Sequence, residues 1–159
     1  TSQSCRLSAA AEMIKLSSEL IDPVVLGAEF QSALKGAGAI ATFIGLVRPE
    51  GERNVEALFL DHAPGLTESA IQEAVDEAFG RWSLIAVTVV HRVGRVDAGA
   101  PVVFVATAAE HRRAAFESCD FLMDYLKTDA PFWKKQISRS GEEWIEPRAD
   151  DYDDRSRWR

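Results

Sequence analysis

The apolar positions of this chain change their period several times, and each change marks an element. Ile14, Leu16 and Leu20 partly alternate across residues 13–21, which predicts a short strand. Asp22-Pro23 supplies a capping carboxylate and then a proline at the first helical position, so a short helix follows, to about Leu34. Gly36 and Gly38 end it, and the near-continuous apolar run at 39–47 reads as a buried strand. Residues 48–54 hold no apolar anchor and predict a mobile surface loop; a strand over 55–61 follows, with a hairpin as the economical connection. Leu66, Ala70, Ile71, Ala74, Val75, Ala78, Phe79 and Trp82 recur every three or four residues and define one apolar helix face. Residues 85–90 and 102–106 are β-branched runs flanking turn signals at Gly94 and Gly99, and are expected to pair.

The second long helix is expected to open at Thr107, whose spacing to Glu110 is that of a capping box. Ala115, Cys119, Leu122, Met123 and Leu126 form its core face, with Arg113, Glu117, Asp120 and Asp124 largely opposite, so Cys119 reads as a small core residue. Two short strands, 134–137 and 143–146, flank the turn at Ser140-Gly141. The charged residues 149–159, with the acidic run 150–154, read as a solvated tail, and the small polar residues 1–12 as a flexible leader. Residues 13–148 are thus expected to form a single domain.

Composition narrows the functional classes. Eighteen basic against twenty-five acidic side chains leave a charge of -7, which argues against a general nucleic-acid binder and against an anionic membrane surface. Any anion must be met by a local cluster of cations. Cys5 and Cys119 have neither disulfide-framework nor zinc-type spacing, so no metal is expected and a reducing cytoplasm fits. No apolar run is long enough to span a bilayer. There is no metalloprotease, Walker, dinucleotide or serine-hydrolase motif, and no cofactor is implied.

The most informative stretch is 124–135, where a helix ends among cations and aromatic rings. Pro131 stops the helix, Phe132-Trp133 form an apolar wall, and Lys127 and Lys134 flank it. An ammonium beside apolar surface loses hydration and becomes a proton donor or acceptor near neutral pH; equally, Lys127 could only complement the helix dipole and Lys134 could be a solvated strand residue. His111 and Arg112 at the helix start could hold a phosphate or carboxylate, or simply lie on the surface. Arg48 and Arg148 each follow a strand, where ligand-contacting side chains and ordinary surface arginines both occur. His62 fits shaping of the turn at Pro64-Gly65, and His91, which follows a strand, fits a packed or an exposed residue better than a catalytic one. Lys127 lies sixteen residues beyond His111, about 24 Å along a helix, so a small site using both must draw on two copies of the chain.

From about Ala39 to Trp158 the chain resembles the catalytic (large) subunit family of molybdopterin synthase. The resemblance rests on the segments ATFIGLVR (41–48), LDHAPG (60–65), VVHRVG (89–94), EHRRAAF (110–116), MDYLKTDAPFWK (123–134) and WIEPR (144–148), in that order. It implies an α+β fold, an α/β hammerhead with an added antiparallel β subdomain. It also implies a homodimer within a heterotetramer whose outer members are small ubiquitin-like sulfur-carrier subunits. The implied reaction converts cyclic pyranopterin monophosphate to the molybdopterin dithiolene with sulfur from the carrier's C-terminal Gly-Gly thiocarboxylate. By the same resemblance Lys127 and Lys134 are catalytic; Arg48 binds the substrate phosphate together with the neighbouring subunit's His111 and Arg112, and Phe43 and Arg148 line the pocket. Leu46, where a polar residue is usual, and Ala63, where an aromatic is usual, depart from the pattern. The alternative is a non-catalytic adaptor that only docks a ubiquitin-like partner.

Overall fold

The computed structural model describes residues 12–49 and 54–159. The leader expected over 1–12 lies outside them except for Glu12, and so does most of the loop expected over 48–54.

Eight strands and four helices among the described residues form two sheets. In the first, β1 (Glu12–Ser17) runs parallel to β4 (Leu84–Arg92), which pairs antiparallel with β6 (Pro101–Ala109), which pairs antiparallel with β2 (Ala39–Leu46). The β-branched runs of β4 and β6 therefore occupy the sheet centre, buried on both faces, and pair as expected. The helices α2 (Leu66–Arg81) and α3 (Arg112–Thr128) cover one face, packing Ile71, Val75, Phe121 and Leu122 against Val87, Val89 and Val105. On the other face α1 (Pro23–Ser32) sets Phe30 against Val90 and Phe104. Asp22 caps α1 as expected, its carboxylate accepting from the amides of Val24 and Val25.

The second sheet is antiparallel, in the order β5 (Gly94–Asp97), β3 (Val55–His62), β7 (Phe132–Ser138), β8 (Gly141–Ile145). Its small core of Val47, Leu60 and Val96 lies where the two sheets meet. The α+β class is observed, with the second sheet as the added antiparallel unit.

Five expectations are corrected. The run at 39–47 is not a buried central strand: β2 is an edge strand, and Ile40, Phe43, Ile44 and Leu46 are all exposed. β2 and β3 do not form a hairpin, because β2 completes the first sheet beside β6 while β3 joins the second. Leu66, assigned to the core face of α2, is 70% exposed in its first turn. Thr107 caps no helix; the strand continues through it to Ala109, and its hydroxyl donates to the Ala115 carbonyl at 2.7 Å instead. The helix starts at Arg112, with His111 as its N-cap and no side-chain capping bond. Last, the charged segment after Arg148 is a helix, α4 (Ala149–Ser156), docked on α3.

Candidate active site

Lys127 stands exposed in the last turn of α3, where its charge complements the helix dipole. The chain then turns through Ala130-Pro131 into β7. That link is held by Thr67, fully buried at the start of α2, whose hydroxyl donates to the Pro131 carbonyl at 2.9 Å and accepts from the Ala63 amide at 3.0 Å. On β7, Lys134 is partly buried opposite Leu60 of β3 and Ile145 of β8.

Within electrostatic reach of the two lysines lies His91, at the end of β4 and 5% exposed. Its ring stacks on Phe132 with centroids 4.2 Å apart and planes 20° from parallel. Nδ1 is 2.7 Å from the Arg92 carbonyl oxygen, which can only accept, so Nδ1 carries the proton. Burial pushes the pKa of His91 down to about 4; its bond to the Arg92 carbonyl opposes this, and the charges of Lys134 and Lys127 reinforce it. The imidazole is therefore neutral near pH 7. Lys134 is shifted too: burial first, and then the charge of Lys127, lower its pKa to about 8, against the pull of Asp151. A lysine with that value holds comparable amounts of ammonium and amine under mildly alkaline conditions and can pass a proton either way.

Arg48 lies at the same end of the first sheet. His91, Val103 and Gly45 face one another across β4, β6 and β2, and Arg48 follows three residues after Gly45. Arg48 is exposed and engaged with other residues of the chain. Arg148 is the N-cap of α4, its guanidinium largely exposed and 3.6 Å from Asp151. Phe43 is 40% exposed on β2, in the row of Val105 and so on the α3 face. Gly45 makes room beside it: a Cβ there would lie 2.6 Å from Val103 Cγ1 and 3.2 Å from the Phe43 ring.

His111 and Arg112 are not brought to this cluster. β6 runs away from the lysine end, and Ala109, facing Ala39 and Leu84, marks the far edge from which α3 departs. Both residues are exposed there. One chain thus gathers Lys127 and Lys134, sets Arg48 and Arg148 on the same side, and leaves His111 and Arg112 a helix length away.

Two residues within electrostatic reach of the lysines escaped sequence reasoning. His91 was read as packed or exposed rather than catalytic; it is packed, stacked on Phe132 and within electrostatic reach of both lysines, and its one signal was its position closing the most regular β-branched run. Asp151 was taken for part of a solvated tail, although its three-residue spacing from Arg148 matches a capping pair. Cys119 is a core residue, its thiol pushed up to about 12 by burial. Among the described residues no cluster of three His, Cys, Asp or Glu could hold a metal ion, and no helix is long and apolar enough to cross a membrane.

Residues 16–129 match the family model described as MoaE protein. The chain is 49% identical over 146 residues to the molybdopterin synthase catalytic subunit of Caulobacter vibrioides, covering 92% of this chain and 97% of that protein. It is 48% identical to that of Escherichia coli over 122 residues, 76% of this chain and 81% of that protein. Among solved structures, the molybdopterin biosynthesis MoaE protein from Burkholderia ambifaria superposes with a TM-score of 0.79 at 42% identity, covering 92% of this chain and 97% of that one. A complex of subunits 1 and 2 of the molybdopterin-converting factor from Helicobacter pylori shares the fold, with a TM-score of 0.74 at 21% identity over 85% of this chain and 91% of that one.

Proposed function

The chain belongs to the MoaE protein family and is a sulfurtransferase, the catalytic subunit of a molybdopterin synthase; from that premise we propose how its residues divide the work. The observation that carries the reading is that Lys127 and Lys134, from two different elements, lie within electrostatic reach of one another and of a buried, neutral histidine. Lys134, with its lowered proton affinity, transfers protons as sulfur adds to the pterin side chain. Lys127, exposed at the helix end, steadies the negative charge that develops on the thiocarboxylate carbonyl and on the opening cyclic phosphate. The sulfur comes from the C-terminal Gly-Gly thiocarboxylate of a small ubiquitin-like subunit, and the substrate is cyclic pyranopterin monophosphate. The complex of subunits 1 and 2 formed by the Helicobacter pylori relative supports a partner of this kind.

The substrate phosphate is held by Arg48 together with His111 and Arg112 of a second copy, with Phe43 and Arg148 at the pocket wall. Two observations support the second copy. The helix start lies about 24 Å from Lys127, and β2 presents an open edge with exposed Ile40, Phe43, Ile44 and Leu46. Such an edge suits a homodimer at the centre of a heterotetramer, and the reaction is one of the cytoplasm.

The test is reconstitution with thiocarboxylated small subunit and cyclic precursor. Lys127→Ala is expected to lower molybdopterin formation by about 10²- to 10⁴-fold while small-subunit binding holds. Undiminished turnover removes the catalytic role given to Lys127.

A further inference from the structure

Six residues lie between Lys127 and Lys134, and the path they take decides where the two ammonium groups stand relative to one another. Hydrogen bonds hold much of that path. The amides of Asp129 and Ala130 both donate to the Tyr125 carbonyl, at 2.8 and 3.2 Å, which ends α3. Pro131 has no amide with which to continue it. The Phe132 amide folds back onto the Ala130 carbonyl at 2.8 Å, and Phe132 and Trp133 then enter β7 opposite His62 and Asp61 of β3. The Pro131 carbonyl is held by a side chain, the Thr67 hydroxyl of α2, which donates to it at 2.9 Å from 64 positions away in sequence. Both polar groups of the peptide unit between Pro131 and Phe132 are therefore bonded.

Thr67 is itself fixed. It is fully buried, its amide donates to the Ala63 carbonyl at 2.9 Å, and its hydroxyl oxygen accepts from the Ala63 amide at 3.0 Å. A hydroxyl has one proton and a carbonyl oxygen can only accept, so that proton is committed to Pro131. The next residue is gripped independently, because the Phe132 ring stacks on buried His91 with centroids 4.2 Å apart. Apolar packing of this kind is non-directional. The hydrogen bond adds direction: it orients the Pro131 carbonyl and with it the rigid peptide plane from which β7 sets out, two residues before Lys134.

We propose that Thr67 is a positioning residue of the sulfur-transfer site, whose hydroxyl fixes the peptide plane after Pro131 and so sets the placement of Lys134 against Lys127. The inference rests on the reading of the two lysines as the catalytic pair. A misplacement of about 1 Å can cost about 10²-fold in rate, so a hydroxyl remote from the substrate can govern turnover. Thr67→Val keeps the size of the side chain and removes the bond. The Ala63 amide and the Pro131 carbonyl then lose their partner, and the link shifts to satisfy them. Thr67→Ser keeps the hydroxyl.

The experiment measures kcat, KM and Tm in the complex reconstituted with thiocarboxylated small subunit and cyclic precursor, for the natural chain, Thr67→Val, Thr67→Ser and Val75→Ala. Val75 is fully buried about two turns along the same helix, so its truncation loosens the core without touching the link. Thr67→Val is expected to lower kcat by about 10- to 100-fold while KM changes less than about threefold. Thr67→Ser should keep kcat within about threefold, and Val75→Ala should keep it within about twofold although its Tm falls. A natural kcat in folded Thr67→Val overturns the proposal. So does an equal loss in Thr67→Ser, which would put the effect in the methyl group, or in Val75→Ala, which would make it one of general loosening. If Thr67→Val does not fold, Thr67→Ala takes its place, since its smaller side chain lets water reach both backbone groups; an unchanged kcat there is equally fatal. Full activity in Lys134→Ala would instead overturn the catalytic reading itself. An inactive Lys134→Ala beside an unchanged Thr67→Val sinks only the role given to Thr67.

Discussion

The two ends of α3 are built differently. At the C-terminal end Asp124 and Asp129 are held by Arg157, Trp158 and Arg155, and the next link is pinned by Thr67. At the start, His111 makes no side-chain capping bond, Arg112 and Arg113 are exposed, and Phe116 is 66% exposed. The difference teaches what one chain can finish by itself. The lysine end of α3 is tied down by contacts within the chain, whereas the groups at the helix start are left exposed.

That contrast can be broken most directly by mixing subunits carrying His111→Ala with subunits carrying Lys127→Ala. Each alone should be nearly inactive. After random exchange, half of the dimers hold one intact site, so activity should return to about a quarter of the natural level. No return, with exchange verified by mass, means that the helix start does not serve the neighbour's lysines.

A smaller effect separates the two ends by stability. Trp158→Ala removes the ring packed on Trp82 and Phe121 and one of the donors to buried Asp124, and should cost about 2–3 kcal/mol. For a chain of this size that lowers Tm by about 5–10 °C. His111→Ala should stay within about 0.5 kcal/mol. Equal losses would mean that the start of α3 is as firmly built as its end.

Smallest is the cost of the site itself. The pKa of Lys134 is about 8 in the folded chain, below its ordinary 10.5, so protonation favours unfolding. The penalty is absent above pH 10.5, grows as pH falls toward 8, and is full below that. Lys134→Met should therefore stabilise the fold at pH 7 by up to about 2 kcal/mol, and the gain should vanish as pH rises past 10.5. Denaturant midpoints at pH 7 and near pH 10.5 check this; a gain independent of pH would place the benefit in packing rather than in the removed charge.

Much of the framework was legible in the sequence because a single period dominated. The faces of α2 and α3 and the β-branched runs of β4 and β6 were readable since their core is made within the chain, and Leu66 failed only because it sits in the first turn. The errors fall where composition has two physical causes. An exposed edge strand can be as apolar as a buried one, so β2 was read as buried. The 107–110 spacing fits a capping pair equally well when Thr107 is still in a strand. α4 looked like a solvated tail because arginine stems, one tryptophan and a single inward aspartate do the work of an apolar face. For the site, the lysines announced themselves through Pro131 and the aromatic pair, but sequence spacing carries no information on the distance between His91 and Phe132 or on the direction of Asp151.

Thr67 has a mechanical consequence. One hydroxyl with no exposed surface ties the turn before α2 to the turn before β7, and those turns are where the two sheets hand the chain from one to the other. That hydroxyl therefore couples the two sheets at the turn that leads into the strand of Lys134.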